Sequence, residues 1–308
     1  MSHSQSLRRK IFSAIVVAFL AAGTVVFCLP GGAAAAWKRV FTFFGLRDFS
    51  ACADGAPLSV HVLDVGKADS IVVECGGRFL LVDGGTADRG GDVAAYLRRR
   101  GASALDYVFC THPDEDHIGG LRNVLQNFRV LHYCAPSLPP ELVPGTEEYR
   151  GVQAALKEKK LAAETVSAGR AWRVGKLDIR ALGPVKAGGS TNNNSIVLKL
   201  TYGGVRFLLT GDAEREEEQD LLSSGQDLSA DVLKVAHHGS DTSSTREFLS
   251  AVKPKFAAVS VGEDSSGLPK RAALERLYGA GASVFRTDVS GTLIFMTDGH
   301  TVTVKTEK

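Results

Sequence analysis

The sequence predicts an α/β protein of two halves, with two sheets packed face to face and helices outside, an αββα four-layer sandwich. Two observations carry this. From about residue 57 onward, strand-like runs of β-branched and aromatic residues alternate with amphipathic helical runs, the order expected of sheets covered by helices. A hairpin pattern also recurs: residues 70–83 are echoed by residues 195–212, and each copy ends its second strand on an Asp, Asp83 and Asp212. The spacing widens by three residues between the Ser70/Ser195 and Arg78/Arg206 pairs, so the second copy is expected to have the longer turn, with an extra Gly. A repeat this long implies two pseudo-equivalent halves, since solenoid units run about 20–50 residues.

The elements follow in order. Strands are expected at 58–65, 70–75 and 78–83, a helix at 92–100, a strand at 105–110, a helix at 120–128, and a strand at 130–134. A helix at 147–160 and strands at 163–166 and 177–182 close the first half. After the second hairpin come a helix at 214–223, a strand at 231–236, a helix at 245–252, a strand at 256–261, a helix at 271–279, and terminal strands through 305. The run Arg98-Arg99-Arg100 reads as the solvated, dipole-favoured end of a helix. The acidic residues of 214–223 read as a solvated face.

Composition sets bounds. In 308 residues, 44% hydrophobic content and 33 Gly fit a globular protein rich in sheets and turns. A net charge of +2 gives no general attraction to DNA or anionic membrane, so any nucleic-acid role must come from a site. The N-terminus differs. After Arg8-Arg9-Lys10, residues 11–37 carry no charge and 11–29 are almost wholly apolar, long enough to cross a bilayer. Residues 1–36 are expected to be a signal peptide or an N-terminal membrane anchor, 37–56 a linker, and 57–308 one domain. The Ala33–Ala36 run offers a cleavage site, whereas the length of the apolar stretch favours an anchor. The cations on either side point the remainder outward, so the chain is expected to be exported, either anchored facing outward or secreted after cleavage near Ala36. Phe27 before Cys28 argues against a lipoprotein box. Cys52, Cys75, Cys110 and Cys134 lack metal-site spacing, and Cys75 and Cys110 read as buried thiols.

The chemistry is concentrated in residues 111–120, THPDEDHIGG. His112, Asp114, Asp116 and His117 put four potential metal ligands within six residues, on a loop between a strand and a helix, where α/β sheets build their sites. One Asp there could simply cap the helix; four ligands in so short a span, from a chain with eight His, point to metal. Asp212 and the pair His237-His238 also end strands. Imidazoles mixed with carboxylates suit two divalent ions, zinc or manganese, with Asp212 able to bridge them. Such a centre serves hydrolysis at phosphorus or carbonyl carbon.

Several segments together resemble the metallo-β-lactamase fold superfamily, and within it the ComEC-type hydrolase domains of DNA-uptake competence proteins. They are Leu63-Asp64-Val65-Gly66 with Asp69-Ser70, Val82-Asp83-Gly84-Gly85, residues 111–120, Asn192-Asn193-Asn194-Ser195, Leu209-Thr210-Gly211-Asp212, and Leu233 to Ser240. The resemblance implies an αββα sandwich with the metals at one sheet edge. It places His112 and Asp114 on one metal and Asp116 and His117 on the other, with Asp212 bridging, His237 as a further ligand, and Asp83 orienting the ligand loop. Asp116 would also orient the attacking water. His238 would protonate the leaving group or else hydrogen-bond its own loop.

Departures from the family pattern matter. Asp114 stands where His is commonest, which favours a harder ion such as manganese. No separate His precedes the second hairpin; there Asn193 and Asn194 either bind substrate or form a turn. Leu268 occupies a position where relatives often carry His, and Lys67-Ala68 alters a glycine-rich motif, so Lys67 either meets an anionic substrate or faces solvent. The expected function is metal-dependent hydrolysis of a phosphodiester, with DNA as a possible partner. The alternatives are hydrolysis of an ester, lactone or β-lactam, and a catalytically impaired metal-binding module.

Overall fold

Short apolar runs with β-branched residues build the first sheet around a central meander: β1 (Leu58–Val62), β2 (Ile71–Cys75) and β3 (Arg78–Val82). The computed structural model describes residues 56–262 and 267–308. The expected signal or anchor segment, nearly all of the expected linker, Cys28 and Cys52 lie outside the described residues. Among the described residues no helix is long and apolar enough to cross a membrane.

Strand β3 pairs in parallel with β4 (Ala104–Phe109), which pairs with β5 (Arg129–Pro136) and through it with β6 (Ala163–Val166). These parallel crossovers use helices α1 (Gly90–Arg99), α2 (Glu115–Ile118), α3 (Leu121–Asn127) and α4 (Glu147–Lys159). The second sheet begins with β7 (Ala171–Val174) and β8 (Leu177–Gly183), then the hairpin β9 (Val197–Tyr202) and β10 (Val205–Leu209). Helix α5 (Arg215–Ser223), β11 (Val232–Lys234), α6 (Arg246–Val252), β12 (Phe256–Val259), α7 (Arg271–Gly279) and β13 (Ser283–Arg286) complete it. After the short α8 (Thr287–Ser290), strands β14 (Leu293–Thr297) and β15 (Val302–Thr306) return to the first sheet beside β1.

The strand orders are β15-β14-β1-β2-β3-β4-β5-β6 and β13-β12-β11-β10-β9-β8-β7. Side chains alternate across each strand, so each sheet buries two faces. Val60, Val73, Leu80 and Phe109 of the first sheet meet Leu198, Leu200 and Phe207 of the second in one apolar core. The outer faces are covered separately. Val72, Leu81 and Val108 pack under Val93, Leu97, Leu121 and Val124, while Leu208 and Leu233 pack under Leu221, Phe248, Leu249 and Leu277. That is the four-layer αββα arrangement expected from the sequence.

Three local expectations differ. Both hairpins turn through two residues, Gly76-Gly77 and Gly203-Gly204, with Gly76, Gly77 and Gly203 at positive φ; the extra length of the second copy lies in its strands, not its turn. The acidic helix α5 is not wholly solvated, because Glu217 and Glu218 are buried. Glu218 holds the chain leading into α6 by accepting from Ser244 N–H and from Thr245 N–H at 2.9 Å, and Glu217 accepts Val185 N–H at 3.1 Å. Arg100, expected in solvent, is largely buried and donates to Glu74 of β2 at 2.6 Å. Cys75, Cys110 and Cys134 are buried free thiols.

Candidate metal centre

The ends of β3, β4, β10 and β11 deliver Asp83, His112, Asp212 and the His237-His238 pair to one edge of the sandwich. The two sheets are joined there directly, since Ile196 N–H donates to the Thr111 carbonyl at 2.9 Å. Asp83 takes a left-handed backbone conformation, φ 60, a strained choice for a non-glycine residue that costs on the order of 1–3 kcal/mol. What it gains is a position under the ligand loop. Its Oδ1 accepts Thr111 N–H at 2.7 Å, and its Oδ2 accepts the Thr111 hydroxyl at 2.7 Å and His117 Nδ1–H at 2.8 Å.

These bonds set the tautomers. With its proton given to Asp83, the Thr111 hydroxyl can only accept from His112 Nδ1–H, 3.1 Å away, and His112 Nε2 keeps its lone pair. His117 likewise turns Nε2 inward. His238 donates Nδ1–H to the Ser260 carbonyl at 2.8 Å, which leaves Nε2 3.4 Å from Asp116 Oδ2 and 3.6 Å from Asp212 Oδ2. The rings lie close, His112 to His117 at 4.1 Å and His117 to His238 at 5.4 Å between centroids.

Four buried atoms in this small volume complete no hydrogen bond, His112 Nε2, His117 Nε2, His238 Nε2 and Asp212 Oδ1, although His117 Nε2 and Asp212 Oδ1 face each other at 3.3 Å. A buried polar atom left unpaired costs about 1–3 kcal/mol, so four such atoms gathered around His117 describe a site shaped for cations. Donor atoms of His112, His117 and Asp212, and again of Asp116, His117 and His238, lie within 4.8 Å of one another. Asp69, Asp83 and His117 also meet that limit. Their atoms are already engaged, however: Asp69 holds buried Lys234 at 2.8 Å and accepts the Ser260 hydroxyl at 2.5 Å, and Asp83 carries the bonds given above.

The electrostatics agree. Burial works against charge on His117, but the Asp212 and Asp83 carboxylates outweigh it and hold the imidazole well above its ordinary pKa. Burial also disfavours the Asp212 anion, yet His117 and His238 keep its carboxyl well below the usual range. Burial of His112, with His117 beside it, lowers its pKa, keeping it a neutral donor. A divalent ion on His117 Nε2 would supply the positive charge that a proton otherwise supplies.

The expected site residues therefore fall into three sets. His112, Asp116, His117 and Asp212 come together with Asp83 behind them. Asp114 stands at the N-cap of α2, but its side chain makes no capping bond; it is partly exposed, with Oδ2 3.7 Å from His112 Nε2. The histidine pair differs from the expectation. His238, fully buried, enters the donor cluster, with Nδ1–H held by the Ser260 carbonyl and Nε2 turned toward Asp116 and Asp212. His237 is partly exposed at the rim, with Nε2 3.9 Å from Asp212 Oδ2 and Nδ1 3.3 Å from Glu214 Oε1. Both take positive φ, 49 and 51, and that tight turn sends the neighbouring rings to different places.

Asn193 and Asn194 are not arranged to bind substrate. Asn193 Oδ1 accepts from Glu214 N–H at 3.1 Å and Glu217 N–H at 3.4 Å, holding the start of α5. Asn194 Nδ2 donates to the Gly188 and Ser190 carbonyls at 3.1 and 2.6 Å. Their polar groups are spent on turn and helix geometry. Leu268 is half-buried against the outer core of the second sheet, and Pro269 lies against Gly239 beside the histidine turn. Lys67, expected at an anionic substrate or in solvent, donates to Asp116 Oδ2 at 2.8 Å. Asp69, Ser260 and Lys234 were not expected as supports of His238. Asp69-Ser70 and Lys234 fall within the resembling segments, but only the fold brings them together.

The sequence profile of the family described as the metallo-beta-lactamase superfamily matches residues 63–263. Among curated proteins, ComE operon protein 3 of Bacillus subtilis (strain 168) is 32% identical over 254 residues, covering 76% of this chain and 32% of the relative. Recombination protein 2 of Haemophilus influenzae is 32% identical over 239 residues, covering 75% and 28% respectively. Competence protein ComA of Neisseria gonorrhoeae is 31% identical over 241 residues, covering 77% and 32%. The chain thus spans about a third of the length of these relatives. Among solved structures, CmlA, a diiron β-hydroxylase from Streptomyces venezuelae, superposes with a TM-score of 0.50 at 13% identity, covering 84% of this chain and 59% of that one; it supports the fold.

Proposed function

The chain belongs to the metallo-beta-lactamase superfamily, and from the chemistry of its site we propose that it is a metal-dependent phosphodiester hydrolase, with DNA as the substrate class, acting outside the cytoplasm. The observation that carries the reading is the gathering of His112 Nε2, His117 Nε2, His238 Nε2 and Asp212 Oδ1 at one buried edge, none of them completing a hydrogen bond. The competence and recombination names of the relatives support nucleic acid as the substrate. The apolar segment at 11–29 supports export.

His112, His117 and Asp212 form one donor group that would hold metal, zinc or manganese, and Asp116, His117 and His238 a second, with Asp114 within reach at the rim. A bound divalent ion would lower the pKa of water toward about 7 and stabilise charge on the attacked phosphate. Asp116 would accept a hydrogen bond from the attacking water and orient it. Asp83 and the Ser260 carbonyl hold the His117 and His238 rings in the tautomers a metal needs. His237, at the rim and beside Glu214, can carry the proton for the leaving oxygen.

The test is metal analysis of the purified full chain, paired with turnover of bis(p-nitrophenyl) phosphate, DNA, a carboxylic ester and a β-lactam. Bound metal with phosphodiester turnover abolished by Asp116→Ala is the expected result. Turnover confined to the ester or β-lactam would overturn the substrate assignment. Absence of metal and of all turnover would overturn the enzyme reading.

A further inference from the structure

Lys67 reaches the metal centre through a fixed turn. Gly66 has φ 84, and an added Cβ on Gly262 would sit 2.6 Å from Gly66 Cα and 2.9 Å from Lys67 N, so the backbone before Lys67 is packed tightly against the end of the second sheet. On its other side, Asp69 N–H donates to the Asp116 carbonyl at 3.0 Å, and Gly85 N–H donates to the Asp69 carbonyl at 2.7 Å. The turn that bears the lysine is therefore bonded to the backbone of the ligand it reaches. The ammonium lies 2.8 Å from Asp116 Oδ2, the same oxygen that His238 Nε2 approaches at 3.4 Å.

Of the three donor groups at this edge, all of which contain His117, two have donor atoms not already engaged elsewhere in the support of the loop. His117 Nδ1 is bonded to Asp83, so His117 has one nitrogen to offer and can serve one ion at a time. The Asp116 and His238 side of the centre would then have to hold a second ion with fewer ligands, next to an ammonium group already on the Asp116 carboxylate. Like charges a few ångströms apart repel, most strongly where water is excluded.

We infer that Lys67 acts as the second cation of this site: it neutralises Asp116 where a second metal would bind, limits the chain to one tightly held divalent ion, and presents its ammonium to the anionic oxygen of the substrate. The inference rests on the metal-centre reading of the proposed function. Arg at this position would keep the charge, whereas Met would keep the length and remove it.

The test is equilibrium dialysis of the metal-free full chain against Mn2+, with bound metal quantified by elemental analysis, for the wild type, Lys67→Met and Lys67→Arg. The wild type and Lys67→Arg are expected to take up one ion tightly. Lys67→Met should bind a second ion at least about tenfold more tightly than the wild type does, a change of roughly 1.4 kcal/mol, and its KM for bis(p-nitrophenyl) phosphate should rise. Two ions bound with similar affinity by the wild type would overturn this inference and leave the hydrolase reading standing. An unchanged stoichiometry and second-ion affinity in Lys67→Met would do the same. No metal bound to the wild type would overturn both.

Discussion

Asp83 Oδ2 accepts His117 Nδ1–H at 2.8 Å with both side chains fully buried, and through this bond a residue behind the ligand loop decides which nitrogen faces into the site. Asp83→Asn replaces a charged acceptor with an amide that can present its NH2 to the ring, so His117 loses its fixed tautomer. Metal affinity should fall about 10–100-fold, as for other partners that orient metal-binding histidines. Competition against a chelating dye measures this. Unchanged affinity in Asp83→Asn would show that the loop positions His117 without Asp83.

The two adjacent histidines should separate by phenotype. His238→Ala removes a buried donor and leaves Asp116 and Asp212 facing an empty space, so metal content and activity should fall together. His237→Ala removes a rim group, and metal content should be kept. Turnover of substrates with poor leaving groups should drop about 10²–10⁴-fold, the usual range for a lost general acid, while p-nitrophenyl esters, whose leaving group departs unprotonated, should be nearly spared. Equal losses on both substrate types would remove His237 from the proton-donor role.

Burial pushes the Glu217 carboxyl from its ordinary 4.5 up to about 8, with Asp220 and Glu216 adding to the rise against the bond from Val185 N–H. The folded state therefore holds a proton, between about pH 4.5 and 8, that the unfolded chain has released. The resulting stability is fully present below about pH 4.5 and is lost as pH rises to about 8. The effect should amount to a few kcal/mol, at about 1.4 kcal/mol per pKa unit. Glu217→Gln keeps the shape and cannot ionise, so it should flatten this part of the stability curve and melt above the wild type at pH 9. Parallel curves for the two proteins, from thermal melts across pH 4 to 9, would refute the assignment.

What was legible in the sequence follows the distance over which each feature is encoded. Residues 112–117 are local, and four ligands on one strand-to-helix loop identify themselves. Asp83 and Asp212 were visible because the hairpin repeats and each copy ends on Asp. The division of labour between His237 and His238 was not, because it depends on two left-handed residues in succession and on the Ser260 carbonyl just beyond β12. Glu217 and Glu218 misled for a related reason. In sequence they belong to an acidic helix, and only the approach of the 183–185 and 244–245 segments turns them into buried acceptors of loop amides. Asn193 and Asn194 sit near enough to the site in sequence to suggest substrate, but their amides are consumed by α5 and the 188–190 turn. The contact of Lys67 with Asp116 crosses 49 residues and needed the fold.

The ligand loop is held against the Asp83 turn by glycines, and this gives a test of positioning apart from ligand chemistry. Gly120 N–H donates to the Gly85 carbonyl at 2.9 Å, and Gly84 N–H donates to the His117 carbonyl at 2.7 Å. A Cβ at Gly120 would meet the Gly84 carbonyl oxygen at 2.0 Å and Gly90 Cα at 2.9 Å. Both are backbone, so neither can swing aside as a flexible side chain would. Gly120→Ala must push the 112–117 loop away from Asp83, costing about 1–3 kcal/mol or more in stability as overpacking does, and moving His117 relative to Asp212. Gly91→Ala is the matched control, because Gly91 lies in α1 with nothing within 4 Å of an added Cβ, and alanine favours a helix over glycine by roughly 0.5–1 kcal/mol. Thermal melts and metal titrations should therefore show Gly120→Ala weakened in both properties, and Gly91→Ala equal to the wild type or more stable with metal affinity unchanged. Wild-type metal affinity in a folded Gly120→Ala protein would mean that the ligand geometry does not depend on this packing.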